Sequence, residues 1–187
     1  MRITRVDARV MDRLSDATTP PGVVAVVRTV DTSADVPSSG SLLVLDHVAD
    51  PGNVGTLIRT ATAFGAAVLT IGGADPFGPK AVRASAGTCY SAAVHRREAD
   101  AGLPTILRGD GRMVLGLAAD GAVTLRDAAS DVPASGVALV LGSEPHGLGD
   151  ATRTSVDRLV RIPMASGVES LNVAAAGSIA MHLLMGA

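Results

Sequence analysis

The chain has 187 residues, a formal net charge of −2, a 47% hydrophobic fraction and three aromatic residues, Phe64, Phe77 and Tyr90. That length suits one well-cored domain with room for a small appendage. The charge excludes a global field for polyanions, so any nucleic-acid contact rests on a local basic patch, and so few aromatics leave almost no platform for stacking bases.

In chain order, Met1 to Leu14 places Ile3, Val6, Val10, Met11 and Leu14 at helical intervals, which predicts a short amphipathic helix. Met1 to Arg13 lacks the apolar core of a signal peptide, and no later run reaches transmembrane length, so a soluble cytoplasmic protein without a membrane partner is expected. Thr18-Thr19-Pro20-Pro21-Gly22 stops the helix. Val23 to Val27 reads as a buried strand, and the Ser-, Asp- and Pro-rich stretch from Asp31 to Ser41 as a linker. Two regions follow, 1–40 and a main domain over 41–187.

Beyond the linker, short apolar runs alternate with helical patterns. Strands are expected at Leu42 to Leu45, Ala67 to Ile71, Met113 to Ala118, Val137 to Leu141 and Arg158 to Ile162. Helices fit Asn53 to Phe64, Pro79 to Ala86, Ala99 to Leu107 and Ser170 to Leu184. Near-continuous apolar strands between helices predict an α/β fold, a mostly parallel sheet covered on both faces. Ligands then bind beyond the carboxyl ends of the strands, in the loops after Leu45, Ala118, Leu141 and Ile162. One cysteine, Cys89, and four scattered histidines offer neither an intramolecular disulfide nor metal-ligand spacing, so no metal is expected.

Three segments carry the unusual residues. In Asp50-Pro51-Gly52-Asn53-Val54-Gly55-Thr56-Leu57-Ile58-Arg59, a turn leads into a helix that Asn53 can cap, and Arg59 projects away from the buried stripe. The same residues also fit a plain cap and a solvated arginine. Neither a Walker A loop nor a Gly-x-Gly-x-x-Gly fingerprint is present, which disfavours a nucleotide triphosphatase or a nicotinamide enzyme. In Leu141-Gly142-Ser143-Glu144-Pro145-His146-Gly147-Leu148, Gly142 permits close backbone approach and Glu144 stands at a strand end, either as an orienting carboxylate or as an ordinary loop acid. In Ile162-Pro163-Met164 through Ser170-Leu171-Asn172, Ser170 is a suitable N-cap and Asn172 adds an amide to the first turn of a helix that is apolar nearly all round.

Together these segments resemble the three signature motifs of the SpoU (TrmH-like) RNA ribose 2′-O-methyltransferases of the SPOUT superfamily, over roughly Ser41 to Met185. The resemblance implies a C-terminal deep trefoil knot, a homodimer, S-adenosylmethionine as cofactor and RNA as substrate, ribosomal ahead of transfer RNA. It places the cofactor against Leu117, Ala118, Gly142, Ile162, Met164 and Leu171. It gives the central catalytic role to Arg59, with Asn53, Glu144, Ser170 and Asn172 holding Arg59, the ribose and the loops in register.

Pro79-Lys80-Ala81-Val82-Arg83-Ala84-Ser85-Ala86-Gly87 also resembles a family segment. With Arg96 and Arg97 it reads either as an RNA-facing basic stretch or as a solvated helix face. Region 1–40 resembles the end of an L30-like RNA-binding domain, which suggests a shortened form of a longer two-domain enzyme. Two other readings stay open: a noncatalytic RNA-binding or assembly factor that retains the fold, and a generic nucleotide-binding α/β enzyme.

Overall fold

The structure is a computed structural model that describes residues 3–15, 22–27, 35–98, 103–143 and 146–186. It divides into two compact units, Met1–Val30 and Asp31–Ala187. In the first, helix α1 spans Ala8–Leu14, shorter than the pattern predicts, because Asp7 caps it by accepting the Val10 N–H at 2.9 Å. None of its residues is buried. The strand expected at 23–27 does not form, and Val26 is 99% exposed. A β-branched run becomes a strand only where a neighbour takes up its backbone hydrogen bonds, and no strand partner lies beside it among the described residues.

The second unit is a seven-stranded sheet of β1 (Leu42–Asp46), β2 (Ala67–Ile71), β3 (Val94–Arg97), β4 (Met113–Leu117), β5 (Val123–Thr124), β6 (Val137–Leu141) and β7 (Arg158–Arg161). The order is β3-β2-β1-β6-β4-β7-β5 and every pairing is parallel. β1 and β6 are buried at every position, which explains their unbroken apolar sequence. Alternate residues feed two cores. Leu43, Leu45, Leu139 and Leu141 join one face with Leu57 and Met181, while Leu42, Val44, Ala138 and Val140 join the other with Leu103 and Leu107.

The helices are α2 (Pro51–Ala63), α3 (Pro79–Ala84), α4 (Leu103–Arg108), α5 (Leu125–Ala129), α6 (Asp150–Ser155) and α7 (Val173–Met185). Two helix starts differ from the expected ones. α2 is capped by Asp50, whose side chain accepts the Asn53 N–H, so Asn53 lies inside the first turn and is not the cap. Pro51 occupies the first turn, where its missing N–H has no cost. α7 begins at Val173 with Asn172 as its cap, not Ser170, because the Asn172 side-chain Oδ1 accepts both the Ala174 and Ala175 N–H groups.

α2 packs against α3 and α7. Leu57 and Ile58 are fully buried there, each contributing about 1.5–3 kcal/mol by removal from water. Glycines set these distances. A Cβ on Gly55 would lie 2.3 Å from the Ala81 carbonyl oxygen of α3, and one on Gly177 would lie 2.5 Å from Leu57 and 2.6 Å from Leu141. No helix among the described residues is long and apolar enough to cross a membrane.

Candidate functional site

β2 and β3 extend the sheet to one side of β1, and β6, β4, β7 and β5 lie on the other, so the strand order reverses at the β1–β6 pair. In open parallel sheets ligands bind beside such a reversal, at the carboxyl edge. A cavity of about 200 Å³ opens there. All six residues expected at the cofactor, Leu117, Ala118, Gly142, Ile162, Met164 and Leu171, line it, and so does Ser170.

Three loops build its walls. After β4, the chain turns back over β7: the Ala118 N–H donates to the Val160 carbonyl at 2.9 Å, and Arg161 donates to the carbonyls of Gly121 and Ala122 at 2.6 and 2.8 Å. After β6, Gly142 lies so close to the returning chain that a Cβ would stand 2.1 Å from the Gly147 oxygen. Ser143 and Gly147 close this loop as an antiparallel bridge, with the Gly147 N–H on the Ser143 carbonyl at 2.8 Å. After β7, the chain passes Met164, Ser170 and Leu171 before Asn172 starts α7. The walls are apolar side chains and bare backbone, which suits a flat, weakly polar group such as a nucleoside base.

The polar residues are distributed more widely. The Asn172 side-chain Nδ2 donates to the Asn53 side-chain Oδ1 at 3.1 Å, joining the N-terminal turns of α2 and α7 across 119 residues of sequence. Arg59 is exposed on α2, and its side chain makes no ion pair or hydrogen bond among the described residues. Glu144 lies outside the described residues. Lys80 of α3 donates to Asp50 at 2.7 Å, and that ammonium, with the Asn53 N–H, holds the Asp50 carboxyl below the usual carboxylate range. Lys80, Arg83, Arg96 and Arg97 are all exposed.

Two features of the site escape sequence reasoning. Ser143, Gly147 and Ala176 also line the cavity, the first two because the 142–148 loop folds back on itself. Asp46 ends β1 buried at 5% exposure and accepts the Thr152 hydroxyl at 2.7 Å and the Gly149 N–H at 3.5 Å. The available signal for Asp46 was an acid closing an otherwise wholly apolar strand.

Comparison with known proteins finds relatives in both sequence and fold. The model of the SpoU rRNA Methylase family matches residues 40–182. The chain is 33% identical over 179 residues to the 23S rRNA (guanosine(2553)-2′-O)-methyltransferase RlmP of Bacillus subtilis, covering 92% of this chain and 68% of the relative. It is 34% identical over 181 residues to the 23S rRNA (uridine(2479)-2′-O)-methyltransferase of Streptomyces viridochromogenes, covering 87% of this chain and 59% of the relative. Among solved structures, an AdoMet-bound rRNA methyltransferase from Sinorhizobium meliloti superposes with a TM-score of 0.71 at 32% identity, over 81% of this chain and 57% of that one. The chain thus spans roughly three-fifths to two-thirds of the length of these proteins.

Proposed function

The chain belongs to the SpoU rRNA methylase family, and from that premise we propose that it transfers a methyl group from S-adenosylmethionine to a ribose 2′-hydroxyl of structured RNA, ribosomal ahead of transfer RNA. The observation that carries this reading is the convergence of Leu117, Ala118, Gly142, Ile162, Met164 and Leu171 on one cavity, beside the Asn53–Asn172 hydrogen bond. Both relatives named above are enzymes of 23S ribosomal RNA, which favours that substrate class.

The cavity fits the cofactor: Leu117, Ile162 and Leu171 offer apolar walls to adenine, and Gly142 lets backbone approach the nucleoside. When bound, S-adenosylmethionine supplies an electrophilic methyl group. The protein's own contribution is positioning and charge. A guanidinium makes a poor base, so Arg59 is given a different role. Its planar guanidinium instead holds a phosphate next to the target ribose and stabilises the alkoxide charge that develops, while that phosphate or water takes the proton. Asn53, Glu144, Ser170 and Asn172 keep the ribose and the loops in register, which lowers the barrier by orientation.

The working unit is a homodimer. Ile179 and Leu183 are exposed at 41% and 36% on the outer face of α7, in line with Ala175, and an apolar stripe of this kind favours a covered surface. A C-terminal trefoil knot accords with the loop after β4 closing over β7 and with α7 returning to α2 and β6. An enzyme of ribosomal RNA works in the cytoplasm.

Mass mapping of 2′-O-methylated nucleotides in ribosomal and transfer RNA, from cells with and without the gene, tests the reading. One ribose methylation in ribosomal RNA should disappear with the gene. Calorimetry with S-adenosylmethionine should give micromolar binding, and no binding at millimolar cofactor would leave an RNA-binding factor without catalysis.

A further inference from the structure

His47 stands where the strand order reverses and has no role in the chemistry above. Its backbone lies in the left-handed region, φ +56°, an uncommon state for a residue with a side chain. The surroundings hold it there. The His47 N–H donates to the Ile71 carbonyl at 2.8 Å, and the Val48 carbonyl accepts the Ala74 N–H at 2.9 Å. Gly72 and Gly73, both at positive φ, leave space for the turn, since a Cβ on Gly72 would stand 2.8 Å from the imidazole and one on Gly73 2.4 Å from the Val48 oxygen. Over-determined backbone of this kind is concentrated at functional positions.

The ring itself is also fixed. Nδ1 lies 2.7 Å from Oδ1 of buried Asp46, whose other oxygen accepts from Thr152. A carboxylate can only accept, so Nδ1 carries the proton. With Nδ1–H engaged by Asp46, Nε2 is left on a side chain that is 65% exposed, and it accepts a hydrogen bond when it bears no proton of its own. Register locates it: Leu45 pairs with Leu141 and Asp46 with Ile71, so the strand end bearing His47 lies one strand spacing from Gly142 of the cofactor cavity. Beyond β2, the same edge carries exposed Arg96 and Arg97.

We infer that His47, oriented by Asp46, is a substrate-recognition residue whose Nε2 accepts a hydrogen bond from a hydroxyl or amino group of the RNA beside the target ribose. The inference rests on the reading of the chain as an RNA methyltransferase. Asp46 acts as a positioning residue through the ring.

The decisive variant is His47→Gly, because glycine is the residue best suited to φ +56° and loss of fold is not the expected outcome. Unmodified transcripts of 23S and 16S ribosomal RNA and bulk transfer RNA are assayed with methyl-labelled S-adenosylmethionine. For the RNA that accepts label, His47→Gly should raise KM about fivefold to tenfold, the loss of one hydrogen bond, with kcat and cofactor affinity unchanged. His47→Asn, which also tolerates the left-handed backbone, should do the same. Wild-type KM in both variants overturns the inference, as does a fall in kcat alone. A salt dependence of RNA binding that loses about one ion in slope overturns it in favour of a phosphate contact. Label in none of the RNAs with the wild-type chain overturns the functional reading itself.

Discussion

The carboxyl edge of the sheet has two unlike halves. After β4, β6 and β7 the chain makes a closed wall of apolar side chains and bare backbone, with Gly142 pressed against Gly147. After β1, β2 and β3 it makes an open ledge carrying His47, Arg96 and Arg97, flanked by Lys80 and Arg83 of α3. An invariant small cofactor can be held by shape and main chain, whereas a long polyanion is met by side chains that reach outward. The two halves should therefore fail separately.

The largest separation is expected at Arg59. Arg59→Ala should lower kcat for RNA methylation by about 10²–10³, the usual cost of one transition-state donor, while calorimetry finds cofactor affinity unchanged. Arg59→Lys tests the bidentate role, and near-full turnover by that variant would refute it. On the other half, Gly142→Val forces a Cβ into the Gly147 backbone and should cost about 1–3 kcal/mol of loop packing, read as at least tenfold weaker S-adenosylmethionine binding. RNA retention on filters should survive. Equal loss of both affinities would erase the distinction between the halves.

Asn172 belongs to both halves. Asn172→Ala removes the cap of α7 and the donor to Asn53 and should lower stability by about 1 kcal/mol in urea denaturation, with RNA and cofactor binding weakened together. Asn172→Ser should restore the cap and the stability but not the tie to Asn53, and therefore not the activity.

The smallest effect concerns acid. Because the folded Asp50 carboxyl is held below its ordinary value of 3.8, chiefly by Lys80, its contribution is complete at neutral pH and disappears as pH falls from that value through the lower folded one. Asp50→Asn should be less stable than wild type at neutral pH, and the gap should close on acidification. A gap that widens instead would mean that Lys80 does not pair with Asp50 in solution.

Most of the central sheet was legible, since β1, β2, β4 and β6 are mainly apolar runs bounded by turn residues and β7 carries Leu159-Val160 between two arginines. β3 and β5 were not: Val94-His95-Arg96-Arg97 and Val123-Thr124 are too short and too polar to show a period, and they become strands only because β2 and β7 offer them backbone partners. The helix caps were displaced by two to three residues. Asp50 and Asn53, like Ser170 and Asn172, are equally good caps on paper, and tertiary contacts choose between them. The cavity residues were legible through motif resemblance. Asp46 and Thr152 were not, because no local pattern joins residues 106 positions apart.

The hydrogen bond between Asn53 and Asn172 has a further consequence for how activity is gained and lost. Drawing together residues 119 apart carries a chain-closure entropy of about 4 kcal/mol plus a constant, which one amide pair cannot offset. The contact persists only while the sheet and helices between them are folded. The site is thus formed and lost together with the domain, and residual turnover in a denaturation series should follow the disappearance of the whole domain.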